Sequence, residues 1–448
     1  MSCRLDAAGW AVATGGRAAG EGGVGALVTD TRRLGAGDWF LALRGERFDG
    51  HDFLDQAGAA GVAGVIAEHA PDDWSAGLVV VDDTLDALQM ASAWRRARFQ
   101  GPVVGITGSA GKTTTRAMIE PVLSSLGVVH GTAGNLNNHI GLPLSVLAAP
   151  TGAAAWVLEM GMSAPGEIAR LQDLCAPSVR LITNVSAAHL QGTGTLAGVA
   201  ACKQELFDGS RPGDTVLVNM DDPFVAAMPV PAGVGVLRYG SEQGCDVQLL
   251  KAHVDGASLS TEVEVSTPGG AVCATVAAPG HHLALDALAA VAVGHVLGIP
   301  AHEIAAGLAR YSPVGMRMRV ERRGGITVVN DAYNANPASL AAALQTLLQA
   351  TGGRRIALLG DMLELGDAEA PAHREAVELA SRLGVDLLGL AGARMSAAAA
   401  YASVPVVVAE DAARLGERVA PMLRPGDVVL VKGSRGTRME RVLQGLGD

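Results

Sequence analysis

Val103-Val104-Gly105-Ile106-Thr107-Gly108-Ser109-Ala110-Gly111-Lys112-Thr113-Thr114 passes from a β-branched apolar stretch through a glycine turn into helix-forming sequence. Glycines let backbone N–H groups close around phosphate oxygens, and a helix N-terminus adds partial positive charge. Lys112 is spaced to reach terminal phosphates, and the Thr113 hydroxyl to hold Mg²⁺. The strict GxxxxGK[ST] pattern does not apply, because five residues separate Gly105 from Gly111. The fit is to TGSxGKTT, with Gly108 and Gly111 as the turn formers. A strand before and a helix after distinguish this from a chance glycine-rich turn. Thr107, Gly108, Ser109, Ala110, Gly111, Lys112, Thr113 and Thr114 are therefore expected to bind ATP, although the loop alone does not say what the ATP is used for.

Outward from the loop, the following helix carries Ile119, Val122, Leu123 and Leu126 at the spacing of one buried face. Pro121 lies inside that pattern, so a kink or a pause is expected there. Further strands are expected at Trp156–Glu159, Arg180–Asn184 and Thr215–Asn219, with an antiparallel hairpin region over 246–278. Upstream, Trp39–Leu43, Gly64–Ala67 and Leu78–Val81 read as strands, and Phe53–Ala60 and Leu85–Phe99 as helices. Gln100-Gly101-Pro102 is a natural hinge. Downstream of Ser312, strands at Ile326–Val329, Arg355–Leu359, Asp386–Leu390 and Asp427–Val431 alternate with helical stretches, as in a parallel sheet wound by helices. The expectation is three α/β domains in series, at 1–99, 100–311 and 312–448.

Composition narrows the function. The chain has 448 residues, 49% hydrophobic and 18% charged, with a formal net charge of −11 and no long Lys/Arg run. Nucleic-acid binding needs a basic footprint and is not expected. No apolar run reaches the ~18 residues needed to span a bilayer, and the N-terminus lacks a basic start followed by an apolar stretch. A cytoplasmic protein without membrane contact is expected. Cys3, Cys175, Cys202, Cys245 and Cys273 are odd in number and without CxxC spacing. They read as small core residues rather than disulfides or a zinc site.

A nucleotide site of this kind needs a carboxylate at the end of a neighbouring strand for Mg²⁺. Glu159 ends such a strand, although an exposed strand-terminal Glu would look the same. His189 lies in a polar turn, where a histidine is more often structural than a ligand. Lys203 sits in the helical stretch 200–207, where a lysine usually lies on a solvated face. Their chemistry is left open by pattern alone.

The loop TGSAGKTTT, the run Gly134-Asn135-Leu136-Asn137-Asn138-His139-Ile140-Gly141-Leu142-Pro143 and the C-terminal Asn330-Asp331-Ala332-Tyr333-Asn334-Ala335-Asn336-Pro337-Ala338-Ser339 together resemble the Mur ligases. The likeness runs from about Thr29 to Glu440. It implies an α/β three-domain architecture: an N-terminal UDP-substrate domain, a central P-loop ATP-binding domain and a C-terminal Rossmann-like domain. It implies Mg²⁺ on Thr113, Glu159, His189 and a carbamylated Lys203, with Lys112, His189 and Lys203 catalytic. A carbamate would answer a physical need, because an ammonium beside divalent cations is repelled.

The stretches Asp331–Leu340, Leu359–Gly366 and Val431–Gly436, together with Met316-Arg317-Met318, resemble the family members that add D-alanyl-D-alanine to a UDP-muramoyl-tripeptide. The resemblance places ATP contacts at His282, Asp286, Arg317 and Asn334. It places substrate contacts at Thr31, Arg32, Asn137, Asn138, Asp331, Tyr333, Asn336, Lys432 and Ser434. Thr29-Asp30-Thr31-Arg32 stands where the family has a DSR motif, the hydroxyl being kept. Asp286 stands where the family has Asn; it can accept a hydrogen bond from an adenine amino group but as a carboxylate cannot also donate one. The expected activity is ATP-dependent amide formation through an acyl phosphate by a monomer. A relative such as folylpolyglutamate synthase would keep the ATP loop without Tyr333–Pro337. A nucleotide-switch module would need neither Asp30 and Arg32 nor Lys432-Gly433-Ser434.

Overall fold

A computed structural model describes residues 3–45, 48–69, 74–187 and 190–445. The chain forms two compact units: one of 1–105, 126–161 and 166–179, the other of 106–125, 162–165 and 180–448.

The first unit holds a six-stranded sheet in the order Arg4–Leu5, Gly25–Val28, Trp39–Leu41, Gly64–Ala67, Gly77–Val80, Arg17–Ala18. The four central strands are parallel and both edges antiparallel. Side chains alternate across a strand, so Trp39 and Leu41 enter one core with Trp10, Val79 and Leu88. Phe40 enters the other, with Leu54 and Val65. A strand covered on both faces reads as a continuous apolar run, which is why Trp39-Phe40-Leu41 was visible in the sequence. The helix Thr84–Ala97 is capped by Asp83, which accepts from the N–H groups of Leu85 and Asp86. Arg96 ties it to the helix Glu167–Cys175 by donating to the Cys175 and Ala176 carbonyls at 2.6 and 2.8 Å.

A nine-stranded sheet runs Gly270–Val276, Ser260–Thr267, Val247–Asp255, Gly235–Gly240, Thr215–Asn219, Val179–Ile182, Val103–Thr107, Ala155–Glu159, Val129–Gly131. Its first three strands are the antiparallel meander expected over 246–278. The helix His281–Val296 is apolar on nearly every side and correspondingly buried.

The last sheet runs Arg319–Arg323, Ile326–Asp331, Val428–Lys432, Arg355–Gly360, Leu387–Ala391, Val406–Ala409. Only its first strand is antiparallel, so the expected wound parallel sheet is present. Among the described residues no helix is long and apolar enough to cross a membrane.

Some expectations need correction. The helix after the glycine turn ends at Val122, one residue past Pro121, and tightens into a 3₁₀ turn over Leu123–Leu126, so the interruption expected at Pro121 falls one residue later. Ile119, Val122 and Leu123 are buried, but the tightened turn rotates Leu126 into solvent. Cys175 and Cys202 are buried, whereas Cys273 is exposed on a meander strand; none of the five cysteines is in a disulfide. The short strands Gly25–Val28, Val129–Gly131 and Gly235–Gly240 were not anticipated.

Candidate active site

The second unit builds the glycine turn. The strand Val103–Thr107 ends in it and the helix Lys112–Val122 leaves it. Gly108 has φ +152° and an added Cβ would lie 1.8 Å from the Thr183 hydroxyl; Gly111 has φ +83°. Both need glycine. Asn184 shapes the turn from outside. Its carbonyl accepts from Ser109 N–H and its Oδ1 from Ala110 N–H, each at 3.0 Å. Thr183 Oγ1 and Asn184 Nδ2 donate to the Ala110 carbonyl at 2.6 and 3.1 Å. Ser109 Oγ donates to the Ser186 carbonyl and accepts from its N–H. Gly111 itself makes no side-chain cap hydrogen bond, and the positive end of a helix favours an anion. Lys112 folds back, its Nζ donating to the Gly108 carbonyl at 2.5 Å.

Two buried ionisable groups lie in the same unit. Asp286, on the helix His281–Val296, accepts from Thr115 Oγ1 at 2.9 Å, and its Oδ1 is 2.5 Å from where a Gly111 Cβ would stand. Burial pushes its carboxyl up to about 7, opposed by the Thr115 hydrogen bond. Lys203, on the helix Leu196–Asp208, is 1% exposed. Burial, and then the charge of Lys112, hold its amine well below the usual lysine range. The solvated-face alternative for this lysine therefore fails. The signal was present: Val199, Cys202, Lys203, Leu206 and Phe207 form one stripe, and all are buried.

In the first unit Glu159 ends its strand as expected but is 1% exposed, so the exposed reading fails; its N–H donates to Thr132 Oγ1 at 2.9 Å. Asn138 Oδ1 accepts from the N–H groups of Ile140 and Gly141, starting the helix Gly141–Ala148. The Asn137 carbonyl accepts from Gly161 N–H. In the N-terminal sheet Asp30 accepts from the backbone N–H, Nε and Nη2 of Arg32. Those hydrogen bonds hold its carboxyl down to about 2. Thr31 begins the same turn. His189 lies outside the described residues. Among the described residues no group of three or more His, Cys, Asp or Glu is arranged to hold a metal.

The C-terminal residues are organised by Lys432. Its Nζ donates to Asp331 Oδ2 at 2.5 Å and to the Asn334 carbonyl at 3.0 Å. Arg317 stacks on the Tyr333 ring at 3.7 Å. Ser434 Oγ donates to the Ala335 carbonyl and accepts from Leu363 N–H. Asn336 and Ser339 make a reciprocal capping box for the helix Pro337–Gln349. The NANPAS run thus has a local structural use besides any substrate contact. Among the described residues the buried His282 Nδ1 has no hydrogen-bond partner. Burial takes its imidazole down to about 4.

This chain is 37% identical over 433 residues to the UDP-N-acetylmuramoyl-tripeptide--D-alanyl-D-alanine ligase of Bacillus subtilis (strain 168), a match covering 94% of this chain and 92% of that protein. The chain belongs to the Mur ligase family. The ligase of the same name from Escherichia coli (strain K12) is 36% identical over 427 residues, covering 94% of each. Residues 24–90 match the "Mur ligase family, catalytic domain", 106–294 the "Mur ligase middle domain" and 316–435 the "Mur ligase, glutamate ligase domain".

Among solved structures, MurF from Acinetobacter baumannii superposes with a TM-score of 0.91 at 31% identity, covering 99% of both chains. MurF ligase from Thermotoga maritima in complex with ADP has a TM-score of 0.83 at 31% identity, covering 94% of this chain and 97% of that one. Mycobacterium tuberculosis folylpolyglutamate synthase, at 18% identity and a TM-score of 0.66 over 81% of this chain and 95% of that one, shares the fold alone.

In this Mur ligase, sequence reasoning missed Thr115, Thr183 and Asn184 as the groups that shape the turn. Thr183 and Asn184 were read only as a strand end. Their role was hidden because their partners at Thr107 and Ala110 lie more than seventy residues away in sequence.

Proposed function

We propose that this Mur ligase joins D-alanyl-D-alanine to a UDP-N-acetylmuramoyl-tripeptide, cleaving ATP to ADP and phosphate through an acyl-phosphate intermediate. What carries the reading is that the likeness to ligases of that name extends over 94% of the chain, phosphate loop included. The protein acts as a cytoplasmic monomer.

A carboxylate and an amine do not condense at neutral pH, because hydroxide is a poor leaving group. A terminal carboxylate oxygen of the tripeptide attacks the γ-phosphorus, and the bond to the bridging oxygen breaks with its electrons leaving on ADP. The dipeptide amine then attacks the acyl carbon, phosphate departs, and the amine loses its proton. The loop residues Thr107–Thr114 cradle the phosphates with backbone N–H groups, and Lys112 exchanges the Gly108 carbonyl for a terminal phosphate oxygen. His282, Arg317 and Asn334 are assigned to the rest of the nucleotide, and Asp286 to the underside of the turn, behind Gly111. Thr31, Arg32, Asn137 and Asn138 are assigned to the UDP-linked substrate, and Asp331, Tyr333, Asn336, Lys432 and Ser434 to the dipeptide side.

Mg²⁺ belongs to the proposal, on Thr113, Glu159, His189 and Lys203 as its carbamate. The donor chemistry fits: hydroxyl and carboxylate oxygens suit a hard cation. When bound, it supplies positive charge that offsets the charge on the transferred phosphoryl group. Burial disfavours the charged ammonium at Lys203, and the neutral amine is the form that adds to carbon dioxide. A nitrogen–carbon bond forms as one C=O π bond of carbon dioxide opens onto oxygen, a proton leaves the nitrogen, and an anionic oxygen donor replaces the amine.

The test is phosphate release by the purified protein. Release should require both the UDP-muramoyl-tripeptide and D-alanyl-D-alanine. Equal release without the dipeptide would replace the reading with a simple nucleotidase.

A further inference from the structure

Helix N-termini favour one anion, and here two groups compete for the same positive end. One is the triphosphate assigned to the turn. The other is Asp286, whose Oδ1 lies directly behind Gly111 and on the Thr115 hydroxyl, in the first turn of the helix Lys112–Val122. We propose that Asp286 is a protonation-dependent positioning residue: as the neutral acid it lets the turn accept the nucleotide, and as the carboxylate it opposes it. This rests on the reading of Thr107–Thr114 as the ATP loop.

Among the described residues, the groups that bear on the carboxylate supply no counter-charge. From the helix Lys112–Val122 it meets the Thr115 hydroxyl. From the strand Gly235–Gly240 it faces Tyr239, and from beyond the helix Ala301–Ala309 it faces Tyr311. Both phenols are pushed up by burial and by Asp286 itself, so they stay neutral. One turn earlier on its own helix His282 is kept neutral by burial, with its imidazole down to about 4. Asp286 is 8% exposed, so water cannot screen it well. Burial, opposed by the Thr115 hydrogen bond, brings its carboxyl up to about 7, where a second anion close by tips it to the neutral form.

The experiment is a titration of the full-length protein with ATP and Mg²⁺ from pH 6 to 9, for wild type, Asp286→Asn and Thr115→Val. The ratio of wild-type to Asp286→Asn affinity cancels the proton equilibria of ATP itself. That ratio should fall with pH, approaching roughly tenfold per unit above the midpoint. Thr115→Val removes a hydrogen bond that favours the carboxylate, so its midpoint should move to higher pH. A ratio constant across the range overturns the proposal while leaving the ATP loop intact. No ATP binding by any of the three at any pH overturns both. If Asp286→Asn does not fold, the Thr115→Val midpoint decides: an upward move supports the role and an unmoved one sinks it.

Discussion

Lys432 Nζ lies 2.5 Å from Asp331 Oδ2, and the two residues are register partners on adjacent parallel strands. The lysine is 2% exposed and also donates to the Asn334 carbonyl. The Asp331 side chain is 13% exposed. Removing one member of a buried pair strands the other charge, at about 3–5 kcal/mol. Asp331→Ala strands the deeper charge and is expected near the upper end, with a clear fall in Tm. Lys432→Met leaves a carboxylate that water can reach and that still accepts from Met318 N–H, so it should cost less. Thermal melts of the two variants check the order; a larger loss for Lys432→Met would contradict it.

Lys203 offers a second test, because a carbamate is directly observable. With ¹³C-labelled bicarbonate and Mg²⁺, wild type should show a carbamate carbonyl resonance that Lys203→Arg lacks. The guanidinium stays charged and cannot take up carbon dioxide, so this variant should lose at least a hundredfold in turnover. Near-normal turnover in Lys203→Arg would remove the residue from the chemistry.

Much of this was legible because it is local. The turn Thr107–Thr114 declares itself by glycine spacing, and the strands around Trp39 and Val328 by apolar runs covered on both faces. The missed strands Val129–Gly131 and Gly235–Gly240 are short and flanked by glycine, so the sequence there looks like turn. The contacts that tune the site were beyond reach for another reason. Thr115 and Asp286 are 171 residues apart, and nothing in either neighbourhood signals that one hydroxyl meets one carboxylate. Lys203 lies between: its stripe with Val199 and Leu206 was readable, but the low frequency of buried lysines argued against it.

Gly108→Ala tests whether the turn's shape, rather than its charge, controls nucleotide binding. The new methyl would fall 1.8 Å from the Thr183 hydroxyl and 3.0 Å from its Cβ. The turn must move, and the N–H groups held by Asn184 move with it. ATP affinity should fall by tenfold or more. Adding Thr183→Ala removes the hydroxyl but not the positive-φ strain, so binding should recover only in part. Full recovery would show that the clash was the whole effect; no loss in the single variant would show that the turn tolerates a side chain.

The raised carboxyl of Asp286 also predicts how stability depends on pH without any nucleotide. An unfolded Asp releases its proton near 3.8, whereas the folded group holds it to about 7. Between those values the folded state binds more protons, so the contribution of this group to stability falls as pH rises and levels off above about 7. Asp286→Asn carries no such group. The stability of the Asn variant, read from thermal melts, should therefore gain on wild type from pH 4 to 7, to a limit on the order of 4 kcal/mol, and gain nothing further above it. A difference in Tm that is flat from pH 4 to 7 would mean that the carboxylate is ionised in the fold at little cost, with water or a cation reaching it.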